Sequence, residues 1–307
     1  MDNKAEENIV VSICCLAYNH EAFISKCLDG FLVQKTLFAF EVLINDDAST
    51  DRTSTIIKEY ENKYPKIIKP IYQSVNRFSV EGGGMNIRYN FSRAKGKYIA
   101  MCEGDDYWTN PFKLQNQVDF LEANSNYVIH SGKAKVLMQN ELNEIIGNPL
   151  SKNTYDITDF LTKNNLITCT VLFRNTTVLE AAFKNLMFGD WMLYVQLLSK
   201  KSGNLAYVSN DLYSVYRMHE GGVTQSLIAP YKNDKVHLRQ IIAIKRFLKV
   251  NYQKEDIIQI NYYCLNLFKY YFINRDYKNC FKIFLHNFWL TKPRLQIRKY
   301  LSFIKHN

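Results

Sequence analysis

Four short apolar runs, each ending in polar residues, constrain this chain more than anything else in it. Residues 9–16, 40–45, 67–73 and 98–101 are rich in Val, Ile and Tyr and read as buried strands. Helix-like stretches, 22–34 and 52–64, separate the first three, and Pro65 stops the second. Such alternation needs crossover connections and predicts an α/β fold, a mainly parallel sheet flanked by helices. In open α/β sheets ligands bind beyond the carboxyl ends of the strands. There the chain places Ala17-Tyr18-Asn19, Asp46-Asp47 and Glu103-Gly104-Asp105-Asp106. The three ends would converge on one crevice. Three carboxylates at one strand end repel one another unless a cation sits among them, and hard divalent ions bridge such oxygens to phosphates.

The pattern changes after Tyr127. Short strands are expected near 127–131, 168–173, 205–208 and 212–216, with helices near 156–163 and 190–200, and residues 74–84 read as a loop. From about Tyr231 the apolar spacing is helical throughout, as in Ile241, Ile244, Phe247 and Leu248. The expected division is 8–225 for the α/β domain and 231–307 for a helical region. That region carries 16 Lys and Arg against 4 Asp and Glu, while the rest is near neutral. Such a surface is either a solvated face or a surface for an anionic membrane or a phosphate-bearing acceptor. No nucleic-acid recognition motif accompanies the charge. Seven cysteines without a Cys-x-x-Cys pair read as reduced thiols of a cytosolic protein. The polar start, Met1 to Glu7, does not read as a signal peptide, and no run of about 18 apolar residues occurs.

Dinucleotide enzymes need Gly-x-Gly-x-x-Gly after the first strand, where this chain has Cys14-Cys15-Leu16-Ala17-Tyr18-Asn19. The glycine- and arginine-rich loop of a sugar nucleotidyltransferase and the Gly-Lys-Ser/Thr of a P-loop are also missing. The ordered pieces instead resemble family 2 glycosyltransferases of the GT-A fold. They are Val10 to Ile13 leading to Ala17-Tyr18-Asn19; Ile44-Asn45-Asp46-Asp47-Ala48-Ser49-Thr50-Asp51; Ala94 to Ile99; Glu103 to Asp106; Gly189-Asp190-Trp191; and Tyr216-Arg217-Met218-His219-Glu220-Gly221-Gly222. The resemblance covers roughly 8–225. It implies a nucleotide-binding sheet, mixed acceptor-side strands, and inverting transfer of a sugar from a nucleoside diphosphate donor, UDP favoured, to a glycan or lipid-linked hydroxyl. Surface polysaccharide synthesis at the inner face of the membrane is the implied setting.

By this resemblance Tyr18 stacks beside the base, Asn19 pins its loop, and Asp47 accepts from the base through a strong charge-assisted bond. Asp46 and Asp47 read equally as helix caps, and Asp51 as compensation of the helix dipole. Asp106 is the first choice to coordinate Mg or Mn, with Asp105 also in the metal set, on the ribose or on a metal-bound water. Glu103 fills the first acidic place of the Asp-x-Asp pattern. Asp190 is carried over as the general base that takes the acceptor proton. Arg217 or His219 would touch phosphate, and His219 can complete the metal shell. Arg88 and Arg93 are lesser phosphate candidates, and Trp108 is either an acceptor platform or core. The rival outside enzymology is a nucleotide-sugar-binding or membrane-docked scaffold without turnover.

Overall fold

The computed structural model describes residues 8–139, 141–222, 227, 229–291 and 297–305. They form two compact units. The first takes in the chain up to His219, apart from Leu161–Lys163 and Leu186–Phe188, which group with Glu220–Asn307 in the second.

The first unit is built on one sheet. Its elements run β1 (Ile9–Ala17), α1 (Ile24–Leu32), β2 (Ala39–Asp46), α2 (Thr53–Lys63), β3 (Ile68–Tyr72), α3 (Arg77–Glu81), α4 (Met85–Tyr89), β4 (Tyr98–Met101), β5 (Tyr107–Trp108) and α5 (Lys113–Ala123). Then come β6 (Tyr127–Met138), β7 (Glu141–Ile146), β8 (Thr154–Tyr155), β9 (Leu172–Arg174), α6 (Gly189–Ser199) and β10 (Leu205–Met218). The sheet order is β3-β2-β1-β4-β9-β6-β10-β5, with β7 beside β6 and β8 beside β10. The first four strands are mutually parallel, as the alternation requires. β9 runs antiparallel to both β4 and β6, and β6 is parallel to β10. The double reversal at β9 returns β10 to the direction of β4. The ends of β1, β2, β4 and β10 therefore face the same edge, which is what brings residues near 18, 47, 105 and 219 together.

The core explains these elements. β1 has buried residues on both faces, as a strand covered by helices on each side must. α1 buries Ile24, Cys27, Leu28 and Phe31, the i, i+3, i+4, i+7 stripe of a helix lying on a sheet. A buried polar knot fixes the strand register. Ser12 Oγ donates to Glu41 Oε1 at 2.7 Å, and the amides of Gly96 and Lys95 donate to Ser12 Oγ and Glu41 Oε1, each at 2.9 Å. The seven cysteines are all free and buried.

Several local expectations change. The strands expected at 205–208 and 212–216 are one strand, β10, whose register shifts between Val208 and Leu212. Residues 127–131 extend into the longer β6. Part of the strand expected at 168–173 is a 3-10 turn, Thr168–Thr170, closed by Thr170 Oγ1 on Ile167 O at 2.8 Å. The helix expected at 156–163 is also a 3-10 turn, Ile157–Phe160. There Asp156 accepts from the Thr158 amide at 2.8 Å, side-chain bonding that competes with a regular helix. The supposed loop 74–84 contains α3, capped by Asn76.

The second unit contains α7 (Pro230–Leu248), α8 (Lys254–Ile273), α9 (Tyr277–Thr291) and α10 (Ile297–Lys305). Phe268, Cys280 and Tyr300 form its small core, and Lys245 and Asp256 make a buried ion pair at 2.5 Å. Among the described residues no helix is long and apolar enough to cross a membrane. Val223 and Thr224 of the glycine-containing loop, and the expected boundary at 225, lie outside the described residues.

Candidate active site

The loops after β1 and β2 are stitched together by side chain to backbone bonds. Asn19, in the left-handed region at φ 54°, donates its amide to Ser49 Oγ at 2.9 Å and accepts from the Thr50 amide at 2.8 Å. Asn tolerates this conformation better than most residues. The His20 amide donates to Thr53 Oγ1, and Glu21 and Asp51 exchange bonds with the opposite loop. Ala17 is buried, with its carbonyl taken by the Asp47 amide. Tyr18 is left with its ring exposed.

The two aspartates ending β2 do different work. Asp46 accepts from Ser49 Oγ and Ser54 Oγ, each at 2.5 Å, and so ties β2 to the start of α2. Asp47 accepts from the amides of Arg77 and Phe78, at 2.7 and 2.9 Å, capping α3. Asp51 accepts from the Thr53 amide in the first turn of α2.

The strand-end motif after β4 also divides. Asp105 Oδ2 lies 3.0 Å from His219 Nε2 and 3.9 Å from His20 Nε2. One ligand atom from each of these three side chains lies within 4.8 Å of the others. Two imidazoles and a carboxylate form a donor set that fits a first-row divalent ion, and the nitrogens favour Mn over oxygen-seeking Mg. Burial pushes the Asp105 carboxyl up, but the bond from His219 and the charge of His20 outweigh it and hold it low. Burial pushes the His20 imidazole down, against the pull of Asp105. Gly104 makes room for His20: a Cβ there would lie 2.8 Å from His20 Nδ1.

Asp106 lies outside this trio. It is buried, and its Oδ1 accepts the Arg217 amide at 2.7 Å, joining the β4 motif to β10. Burial and then the Asp105 charge raise its carboxyl well above the usual range. Arg217 Nε donates to the Asp105 carbonyl at 2.8 Å, and its guanidinium lies 4.5 Å from the Phe23 ring centre. The other face of this aromatic corner is His219, whose ring centre is 4.8 Å from that of Phe23.

Asp190 opens α6. Its Oδ2 accepts from Thr168 Oγ1 at 2.7 Å and Asn164 Nδ2 at 2.9 Å, and its Oδ1 from the Trp191 amide at 2.7 Å. Burial nevertheless raises its carboxyl above the ordinary aspartate value. Crowding by protein atoms, then the charges of Asp105 and Asp190, raise Glu103 in turn. Water reaches the Glu103 side chain, and the two like charges act on it there. That coupling places Asp190, Glu103 and Asp105 in one electrostatic neighbourhood.

Other expectations move away from the cleft. Arg88 donates to the carbonyls of Gly82 and Gly83, and Arg93 to those of Tyr89, Lys69 and Ile44, which makes both structural. Trp108 is core, its Nε1 donating to the Cys169 carbonyl at 2.7 Å. Sequence reasoning passed over His20, Phe23, Asn164 and Thr168. His20 had a signal, since it follows Asn19 at a strand end. Asn164 and Thr168 had none, because their partner is 22 or more residues away.

The chain is 35% identical over 217 residues to the Mycobacterium tuberculosis protein Rv1520, covering 70% of this chain but only 61% of that longer relative. It is 29% identical to the Escherichia coli UDP-Glc:alpha-D-GlcNAc-diphosphoundecaprenol beta-1,3-glucosyltransferase WfaP, over 88% of this chain and 99% of WfaP. Its fold matches the mannosyltransferase PcManGT of Pyrobaculum calidifontis, solved with GDP-Man and Mn2+, at a TM-score of 0.56 and 16% identity. That match covers 86% of this chain and 76% of the other and, with the α/β sheet, shows the GT-A-like fold. The family model "Glycosyl transferase family 2" matches residues 12–177, more than half of the chain, and the chain belongs to that family.

Proposed function

We propose that this protein transfers a glycosyl group, with inversion, from a nucleoside diphosphate sugar to a hydroxyl of a lipid-linked glycan in surface polysaccharide synthesis. The observation that carries the reading is Asp190: a carboxylate of raised basicity, fixed by three donors and electrostatically coupled to the motif that includes Asp105. A general base needs that combination of position and affinity for a proton.

Asp190 takes the acceptor hydroxyl proton as the hydroxyl oxygen bonds the anomeric carbon. The bond from that carbon to the diphosphate oxygen breaks, and the nucleoside diphosphate leaves with the electron pair. A single displacement inverts the anomeric centre. Asp105, His20 and His219 would hold a divalent ion, which when bound supplies charge stabilisation to the departing diphosphate. The Arg217 guanidinium, steadied against Phe23, offers its remaining N–H groups to phosphate oxygens. Tyr18 presents an exposed ring for the base. Asp47 would have to serve the base while capping α3. The likeness to WfaP supports a UDP-sugar donor and a diphosphate-linked lipid acceptor, and the donor set of Asp105, His20 and His219 supports a divalent ion.

The test is a thermal-shift screen of UDP-, GDP- and dTDP-sugars with and without Mn, followed by product analysis on synthetic polyprenyl-diphosphate sugars. A Mn-dependent shift with one donor and a product of inverted configuration are expected. Transfer unaffected by Asp190→Asn would overturn the assignment of the base.

A further inference from the structure

We propose that the outer face of α9 docks on an anionic lipid bilayer, lying along the surface rather than crossing it. This inference stands apart from the donor and acceptor assignments above.

α9 is apolar on nearly all sides. Its inner side is accounted for: Cys280, Ile283 and Phe284 pack with Phe268 and Tyr300, and Asn287 Nδ2 donates to Tyr300 Oη at 2.9 Å. At 100° per residue, Tyr277, Phe281, Leu285, Phe288 and Trp289 share the other side. They remain exposed, Phe281 by 63% and Trp289 by 78%. An exposed patch of this kind marks an interaction surface rather than an ordinary solvated face. From Tyr277 to Trp289 it runs about 18 Å at 1.5 Å per residue. With 15 residues, α9 is too short to span a bilayer of about 20 residues' depth.

Charge selects the occupant. By the same geometry the exposed Lys278 stands within the stripe and the exposed Lys282 at one edge of it. Asp276 is the last carboxylate before seven Lys and Arg, and it is engaged at the start of α9 by the Asn279 amide and side chain. α10 repeats the pattern, with Leu301 and Ile304 exposed beside Arg298 and Lys305. A second copy would set one cationic face against another, and like charges repel. A bilayer with anionic headgroups accepts both the cations and the amphipathic Trp and Tyr rings at its interface.

The experiment uses the full chain with vesicles of phosphatidylcholine alone or with about a third phosphatidylglycerol. Expected are co-sedimentation only with the anionic vesicles, loss on raising salt, and a blue shift of tryptophan emission. Trp108 and Trp191 are buried, so the shift would come from Trp289 and should vanish in Trp289→Phe. The pair Phe281→Ser with Phe288→Ser should lower partitioning at least tenfold. Arg239→Gln with Arg246→Gln is the charge control. Those arginines line a 340 Å³ groove with Ile283 and His286 on another side of α9, and their loss should lower partitioning threefold or less. No binding to anionic vesicles at low salt, equal effects of the two pairs, or binding without an emission shift would each overturn the proposal. So would a dimer that the phenylalanine pair dissociates and that ignores vesicles. If that pair fails to melt cooperatively, the wild-type and Trp289→Phe spectra alone decide.

Discussion

The carboxylate of Asp106 accepts the backbone N–H of Arg217 at 2.7 Å, whereas its neighbour Asp105 faces His219. Two adjacent acids thus have separate tasks: one joins strand ends, the other stands among imidazoles. Asp105→Asn should lower transfer by about 10² to 10³, the usual effect of removing one electrostatic stabiliser of the transition state, and abolish the Mn dependence of donor binding. Asp106→Asn keeps an acceptor for the Arg217 amide, so it should cost less than tenfold in activity. Steady-state rates over a Mn titration check both, and the reverse order would make Asp106 the ligand.

His20 and His219 bring two nitrogens to the candidate ion site beside Asp105. The wild type should therefore prefer Mn to Mg, and His20→Asn should narrow that preference by weakening Mn more than Mg. Isothermal titration of each ion with the nucleoside diphosphate present makes the comparison. Equal weakening of both ions would place His20 outside the shell.

Asp190→Asn should lower kcat by about 10² or more with donor affinity unchanged. Burial raises the Asp190 carboxyl, and a base works only when deprotonated. The rate should therefore rise with pH through a limb above the ordinary aspartate range. Thr168→Val and Asn164→Ala each delete one donor that favours the charged form. They should move that limb to still higher pH, a displacement that a purely structural role would not produce.

Lys113 is fully buried, donating to Gln117 Oε1 at 2.7 Å beneath the Trp108 ring. Burial lowers its pKa from the model-compound value of 10.5 to about 7. Between those values the unfolded chain binds more protons than the folded one, so stability should rise as pH increases from about 7 toward 10, by at most about 1.4 kcal/mol per pH unit. Lys113→Met should remove that slope. Urea unfolding at pH 6.5, 7.5 and 8.5 measures it, and parallel trends in both proteins would refute the assignment.

Ile9, Val11 and Ile13 announce a buried strand, and Asp46 and Asp105 announce the sheet's functional edge, because both signals are local. The return of β10 to the direction of β4 was not legible, since it depends on the antiparallel insertion of β9 between distant strands. The family resemblance groups His219 with Asp105 and Asp106, but that it bonds Asp105, 114 residues away, and not Asp106 depends on the folded chain. Ser49 and Ser54 on Asp46, and Arg77 on Asp47, show why adjacent acids with identical sequence signals differ: each is decided by which amide or hydroxyl folds back onto it.

The stitching of Asn19, His20 and Glu21 to Ser49, Thr50, Asp51, Arg52 and Thr53 leaves that side of the cleft little conformational freedom to lose when a nucleotide arrives. The side that presents Asp190 rests instead on a short turn and two isolated donors, Thr168 and Asn164. Substitutions around residues 164–168 can therefore reshape what Asp190, the proposed base, faces while the stitched loops keep their form. A change of acceptor is open to this scaffold by a few replacements, whereas a change of nucleotide would require recutting both loops together.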